Sequence, residues 1–301
     1  MPSRALGDWL LNLKSVARDW LPPAVLRTLK RILPKESQRP DWDYCPDGWR
    51  TVDPLIKGWN AEGVVSAQLR SWPAYLEVLK GVGPLGVSHT DLVPNGHSPS
   101  FHNTIMSFAY VLGLSARTKD RISILDWGGG LGHYGPLSRA LLPEVAIDYF
   151  CKDLPLICRA GREALPDATF FERDEQLDGK SFDLVLSSSS LHYSEDWRDV
   201  AGRLATAASG HLYITRLPIV DRAGSFVVVQ RPYGCGYDTE YLGWFLNRGE
   251  LLDLMAGLNL ELLREFLIDE HPDVPNAPEQ AHYRGFLFRS RAGASPQDAI
   301  P

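Results

Sequence analysis

Cysteine is scarce in this chain. There are four, Cys45, Cys151, Cys158 and Cys235, none in a Cys-x-x-Cys pair and none with a histidine at metal-ligand spacing. That argues against a disulfide framework, gives a metal site no support, and leads us to expect reduced thiols in a cytoplasmic protein. Long apolar runs are missing too. No stretch reaches the ~20 residues needed to cross a bilayer, and Asp8, Lys14, Arg18 and Asp19 interrupt any signal-peptide core. Net positive charge is absent: the total of −6 counts against a nucleic-acid binder that works by broad phosphate neutralisation. Neither an internal repeat nor a low-complexity tract occurs.

What is present suits a soluble globular protein: 301 residues, 44% hydrophobic and 23% charged, enough to bury a real core. We expect a helical and loop extension over residues 1–100, a main domain over 101–290 and a flexible tail over 291–301. Charge is uneven. Residues 1–40 hold eight Lys/Arg against three Asp/Glu, which leaves −11 on the remainder. Two apolar stripes recur there at helical spacing, Leu10, Leu13, Ala17, Trp20 and Leu21, then Val25, Leu26, Leu29, Ile32 and Leu33, ended by Pro22-Pro23 and Pro34. Such stripes either pack on the protein's own core or lie on an anionic membrane surface. Both readings stand at this point.

Residues 40–100 are rich in Trp, Pro and Gly, with a helix expected over 61–79 and a loop over 81–100. A helix over 103–114 leads into a regular alternation. Strands are expected at 122–125, 145–151, 169–171, 182–187 and 211–215, and helices at 136–142, 156–164 and 200–208. That alternation implies a parallel sheet covered on both faces. A helix over 248–257 follows, then strands at 260–268 and 283–288 with no helix between them, an antiparallel pair at the end of the sheet. Their connection carries Pro272, Pro275 and Pro278 and is long enough for a functional lid. Phe226–Val229 is strand-like but has no evident place.

The first strong strand runs into Asp126-Trp127-Gly128-Gly129-Gly130-Leu131-Gly132. Glycines permit positive φ and close backbone approach to a ligand, and the following helix presents free N–H groups. Gly130, Gly132 and Gly135 also satisfy G-x-G-x-x-G, which dinucleotide-binding proteins share. Asp126 weighs against a dinucleotide, because a carboxylate there would repel a pyrophosphate and suit a cationic amino-acid moiety. The late start of the βα series and the antiparallel C-terminal pair point the same way.

With these segments in view the chain resembles a class I S-adenosylmethionine-dependent methyltransferase. ILDWGGGLGHYG, YFCKDLP, SSSLHY, ITRLP, TEYLGWFLNR and YRGFLF are further similar to a bacterial family of predicted methyltransferases often associated with surface-polysaccharide biosynthesis. The resemblance spans about residues 100–290. It implies an α/β, Rossmann-like sheet of seven strands, the last antiparallel, with S-adenosyl-L-methionine over the glycine loop. It implies that Asp126, Gly128, Gly130 and Gly132 hold the methionine part, with Trp127 also against the cofactor. Asp153 would take the ribose hydroxyls, with Asp148 as competitor, and Asp174 would meet the adenine amino group or stand as a solvated turn acid. Ser188, Ser189 and Leu191 would line the far side.

Transfer to a hydroxyl needs aligned partners and a group to take the proton. His192, just after the fourth strand, is the first candidate base, with packing as its alternative role. Glu240, in the aromatic segment 231–248, and His133, in the glycine loop, follow, with shaping of the site as the alternative role of His133. That segment, with Asp238, Glu240 and Arg248 among its aromatics, either receives a sugar or other polar ring or is an ordinary core-and-turn stretch. The expected activity is O-methylation of a glycan or related biosynthetic intermediate, with no nucleic-acid partner and with peripheral membrane contact as one of the two readings open for residues 1–40. The sequence sets no oligomeric state. A nicotinamide-dependent oxidoreductase and a non-catalytic cofactor-binding module are the alternatives.

Overall fold

Runs of β-branched and aromatic residues, closed by glycine, proline or acidic residues, set the strands, and amphipathic stretches between them set the helices. The computed structural model describes residues 40–85 and 98–291. In chain order these hold β1 (Trp42–Tyr44), α1 (Glu62–Lys80), α2 (Pro99–Ala116), β2 (Arg121–Trp127), α3 (Tyr134–Leu141), β3 (Ala146–Lys152), α4 (Pro155–Ala164) and β4 (Thr169–Phe171). There follow β5 (Phe182–Ser188), α5 (Trp197–Ala207), β6 (Ala208–Val220), β7 (Phe226–Gln230), β8 (Tyr241–Asn247), α6 (Arg248–Gly257), β9 (Leu260–Leu267) and β10 (His282–Ser290). The two N-terminal stripes, most of the 81–100 loop and the tail beyond Arg291 lie outside the described residues. No helix among the described residues is long and apolar enough to cross a membrane.

Seven strands run in the order β4-β3-β2-β5-β6-β10-β9. β2 to β6 are parallel, and β10 is antiparallel to both β6 and β9. This is the expected Rossmann-like class I methyltransferase sheet with its last strand reversed. Both faces are buried, so side chains alternate between two cores rather than between core and water. Ile122 and Ile124 of β2 and Leu184 and Leu186 of β5 share one core with Val64, Phe108, Leu137 and Ile157 of α1 to α4. Leu125, Trp127 and Val185 share the other with Trp197 and Leu204 of α5 and Leu251 and Met255 of α6. From β2 the chain winds out to β3 and β4, then returns past β2 to β5 and β6. A crevice therefore opens at the carboxyl ends of β2 and β5, a topological switch point.

Three further strands extend this sheet. β6 runs five residues beyond its expected end at Thr215. β5 and β10 occupy its two edges up to that point, and past the end of β5 the vacated edge pairs in parallel with β8 at Ile219 and Val220. β7 pairs antiparallel with β8, and β1 with β7, which places Phe226–Val229. This wing is covered on one side by Trp49 and Ile56 and on the other by Val274 and Ala281.

The described residues from Asp41 onward form one compact unit. Val64, Val65, Trp72 and Tyr75 of α1 lie in the main core, each contributing roughly 1.5–3 kcal/mol of burial, so α1 is part of the domain it was expected to precede. The proline-rich connection before β10 is no free lid. Glu279 accepts backbone N–H bonds from Asp221, Arg222 and Ala223, and Val274 is fully buried against the wing.

Candidate functional site

β2 delivers Asp126 to the floor of the crevice, fully buried. Its Oδ2 accepts a 2.5 Å hydrogen bond from the Tyr149 hydroxyl, and its Oδ1 has no partner among the described residues. Burial pushes the carboxyl up to about 7, against the Tyr149 bond that lowers it and with Asp153 raising it further. The chain can approach this carboxylate only because residue 129 is glycine: a Cβ there would stand 2.4 Å from Asp126 Oδ2. Gly130 has φ +62°, and its N–H donates to Asp153 Oδ2 at 2.7 Å. Asp153, at the end of β3, also accepts Leu154 N–H on Oδ1 at 2.7 Å, and burial raises it to about 6. Between the two ribose candidates the geometry separates cleanly: Asp153 lines the cavity, while Asp148 pairs with Arg121 on a solvent-facing edge.

Asp174, after β4, also lines the cavity and accepts from Trp127 Nε1 at 3.0 Å and Lys152 Nζ at 2.9 Å. Burial alone would raise its carboxyl, but these two donors hold it below the usual range. It is therefore no solvated turn acid. Lys152 at the same time stands 4.9 Å over the Trp127 ring. The cavity measures about 420 Å³ and reaches from this cluster past Ser188 to the wing, where Gln230, Tyr237 and Tyr241 close it.

Several expected residues do not reach this space. Gly132 has φ +89° and packs against Leu165, Tyr149 and Phe170, so it serves the turn. Leu191 is buried in the core with Trp197. His192 is fully buried, its ring 3.9 Å from that of Tyr193, and both nitrogens lack partners among the described residues. Burial, with Arg216 adding to it, lowers this imidazole to about 3. A base that weak holds no proton near neutrality. Residues Leu191–Tyr193 form a single 3-10 turn, in which successive side chains point in different directions, and Tyr193 is the one that lines the cavity.

Glu240 is buried in the wing, accepting from Arg231 Nε at 3.1 Å and the Tyr233 hydroxyl at 2.6 Å. That ion pair ties β8 to the segment after β7. Arg248 pairs with Glu265 of β9. Of the three candidate bases only His133 lines the cavity, its ring edge-on to Trp72 and Tyr75 at centroid distances of 4.9 and 5.1 Å. Ser188 also lines it and bonds the Tyr134 hydroxyl at 2.9 Å.

Sequence reasoning missed Trp59, Gln68, Tyr193, Arg216 and Gln230, all of which line the cavity. Arg216 had a legible signal, as the lone cation inside the buried run HLYITRLPIV. Trp59 and Gln68 come from a segment whose distance along the chain hid its nearness in space.

No family model and no curated protein matches the chain. Among solved structures it is similar to magnesium protoporphyrin IX methyltransferase from Synechocystis PCC 6803 with bound SAM, at 14% identity over 76% of this chain and 97% of that one, TM-score 0.43. An O-methyltransferase family protein from Burkholderia thailandensis shares 16% identity over 80% and 76%, TM-score 0.43. The same organism's 1,6-didemethyltoxoflavin-N1-methyltransferase shares 17% over 80% and 93%, TM-score 0.43. At these values the strand order above, not the likenesses, carries the fold.

Proposed function

We propose that this protein is an S-adenosylmethionine-dependent methyltransferase that O-methylates a ring-shaped polar acceptor, a glycan unit or related biosynthetic intermediate. The observation that carries the reading is Asp126: a buried carboxylate with one oxygen unpartnered among the described residues, beside a positive-φ glycine loop at the switch point. A carboxylate there opposes a pyrophosphate and suits an ammonium group. Asp153 fits a ribose diol, since each oxygen has accepted one N–H and a carboxylate oxygen has two acceptor sites. Asp174 and the Trp127 indole suit an adenine.

Bound there, the cofactor would supply an electrophilic sulfonium methyl, its sulfur being able to keep the C–S electron pair on transfer. The acceptor oxygen forms the new bond to carbon and gives up its proton. We assign that proton to His133, the cavity's imidazole, in place of His192. Much of the rate comes from alignment, for which Trp59 and Tyr241, stacked at 4.2 Å, offer a flat wall. Calorimetry on the full chain should show S-adenosylmethionine and S-adenosylhomocysteine binding and NAD failing to bind. NAD binding with no heat from either sulfur compound would overturn the reading. Cofactor binding with no labelled-methyl transfer to any native extract would leave a binding module.

The basic, twice-amphipathic segment 1–40 belongs to the same proposal, as peripheral contact with an anionic membrane that carries a lipid-linked acceptor. Full-length protein should sediment with phosphatidylglycerol vesicles at low salt and release at high salt. Vesicles that never recruit it would leave the stripes to packing.

A further inference from the structure

The end of the cavity away from the glycine loop has a cation of its own. β6 carries a bulge in its pairing with β10: Leu217 lies opposite Arg284 and Ile214 opposite Phe286, so Thr215 and Arg216 together face Gly285. Arg216 there takes φ +50°, a conformation a non-glycine side chain holds only where the surroundings impose it. Bulges re-aim side chains, and this one lets Arg216 line the cavity rather than enter a core. Its guanidinium lies 4.6 Å from the Phe101 ring centroid and 5.7 Å from that of Tyr283. Nη2 meets Glu270 at 2.8 Å, while Nη1 is buried and unpartnered among the described residues. A guanidinium has five N–H donors in a fork that matches a carboxylate, and a buried donor left unused is costly.

The charges of the cavity are sorted along the sheet. Asp174 follows β4, Asp153 follows β3 and Asp126 stands one residue before the end of β2, while Arg216 rises from β6, two strand spacings or roughly 10 Å from β2. Lys152, the other lining cation, is committed to Asp174. Ser188 on β5 and the rings of Trp59, Tyr193 and Tyr241 line the same cavity. An acceptor with a negative group would be repelled from the acidic pole and held at the other.

We propose that the acceptor of this methyltransferase is an anionic ring, carrying a carboxylate or phosphate that the Arg216 guanidinium grips. The inference rests on the function proposed above, and its test separates the two. Full-length protein, alone and saturated with S-adenosylhomocysteine, is titrated with glucuronate, glucose 1-phosphate and 4-hydroxybenzoate, and with the neutral partners glucose and 4-hydroxybenzamide. Sugar acid, sugar phosphate and aromatic acid thus form separate arms. At least one acid should bind tenfold or more tightly than its neutral partner, and Arg216→Gln should erase the difference without changing S-adenosylhomocysteine affinity. Glu270→Gln, which frees Nη2, should tighten the same acid several-fold and keeps the test open if Arg216→Gln does not fold. Acids that bind no better than neutral rings overturn the proposal. So does Arg216→Gln losing S-adenosylhomocysteine, since Arg216 would then hold the cofactor's own carboxylate. Failure of wild type to bind S-adenosylhomocysteine strikes the cofactor reading instead, and the acid-over-neutral comparison in the unloaded protein still decides this one.

Discussion

Asp126→Asn should give a protein that resists heat better than the parent without ligand at pH 8, yet binds S-adenosylmethionine on the order of 100-fold more weakly. Burial raises Asp126 from an ordinary 3.8 to about 7. A carboxyl whose pKa is raised on folding binds its proton more tightly in the native state. Stability is therefore greatest below the unfolded value and falls as pH climbs from about 4 to about 7. The full loss corresponds to roughly 4 kcal/mol at pH 8, and the amide avoids it. The amide still accepts from Tyr149, but its NH₂ sits where Oδ1 lacked a partner, which gives back about 1–3 kcal/mol. A net gain of about 1–3 kcal/mol follows, present at pH 8 and gone near pH 4, read by thermal melts across that range. Cofactor binding moves the other way. Losing a charged partner for an ammonium in a buried site costs about 3 kcal/mol, and tenfold corresponds to about 1.4. Wild-type affinity should also weaken as pH falls below about 7, while the variant keeps only the dependence that Asp153 imposes near 6. A variant that melts like wild type at pH 8 and binds as tightly would show that Asp126 carries no buried charge waiting for a cation.

The same residue shows why part of the site was legible in the sequence. A strand that ends in an acid and a glycine cluster has few structural uses, and β2 with its loop follows that pattern at Asp126–Gly130. The parallel strands were readable because both faces are buried and their apolar runs are nearly continuous. The wing was not. Tyr241–Asn247 is buried on both faces, broken by Gly243 and full of aromatics, so it reads as a binding segment and not as a strand. The extension of β6 passes through Arg216 and Pro218, residues that ordinarily end a buried strand, and survives because the bulge turns one of them outward and β10 pairs across Pro218. His192 was misplaced for a smaller reason. Position after a strand is readable, but which of three successive side chains in a 3-10 turn faces the crevice depends on packing, here on Tyr193 filling the space beside Trp59 and Tyr241. Ion pairs such as Arg231 with Glu240 join residues by wing register, which no local pattern encodes.

Gly130→Val should abolish cofactor binding altogether while leaving a folded protein. At φ +62° a β-branched residue is a conformational outlier that costs about 1–3 kcal/mol. The steric contact is the lesser problem, because a Cβ would meet Gln68 Oε1 at 2.9 Å, the free end of a side chain that can swing away. The backbone strain has no such escape except a change of φ, and that pulls the residue 130 N–H off Asp153 Oδ2. Asp153 then loses a donor that holds its pKa down and rises above about 6, so less of it is ionised near neutrality. One substitution thus fills the backbone's approach to the ligand and disarms the ribose acceptor. Calorimetry should register no S-adenosylmethionine binding, with a melting point a few degrees lower. Gly179→Val is the control. Gly179 has φ +72° and nothing within 4 Å of a Cβ, and it does not line the cavity, so it should lose similar stability and bind as wild type does. If both variants lose binding alike, the effect is general strain. If folded Gly130→Val binds like its parent, the glycine loop does not cradle the cofactor and the assignment falls with it.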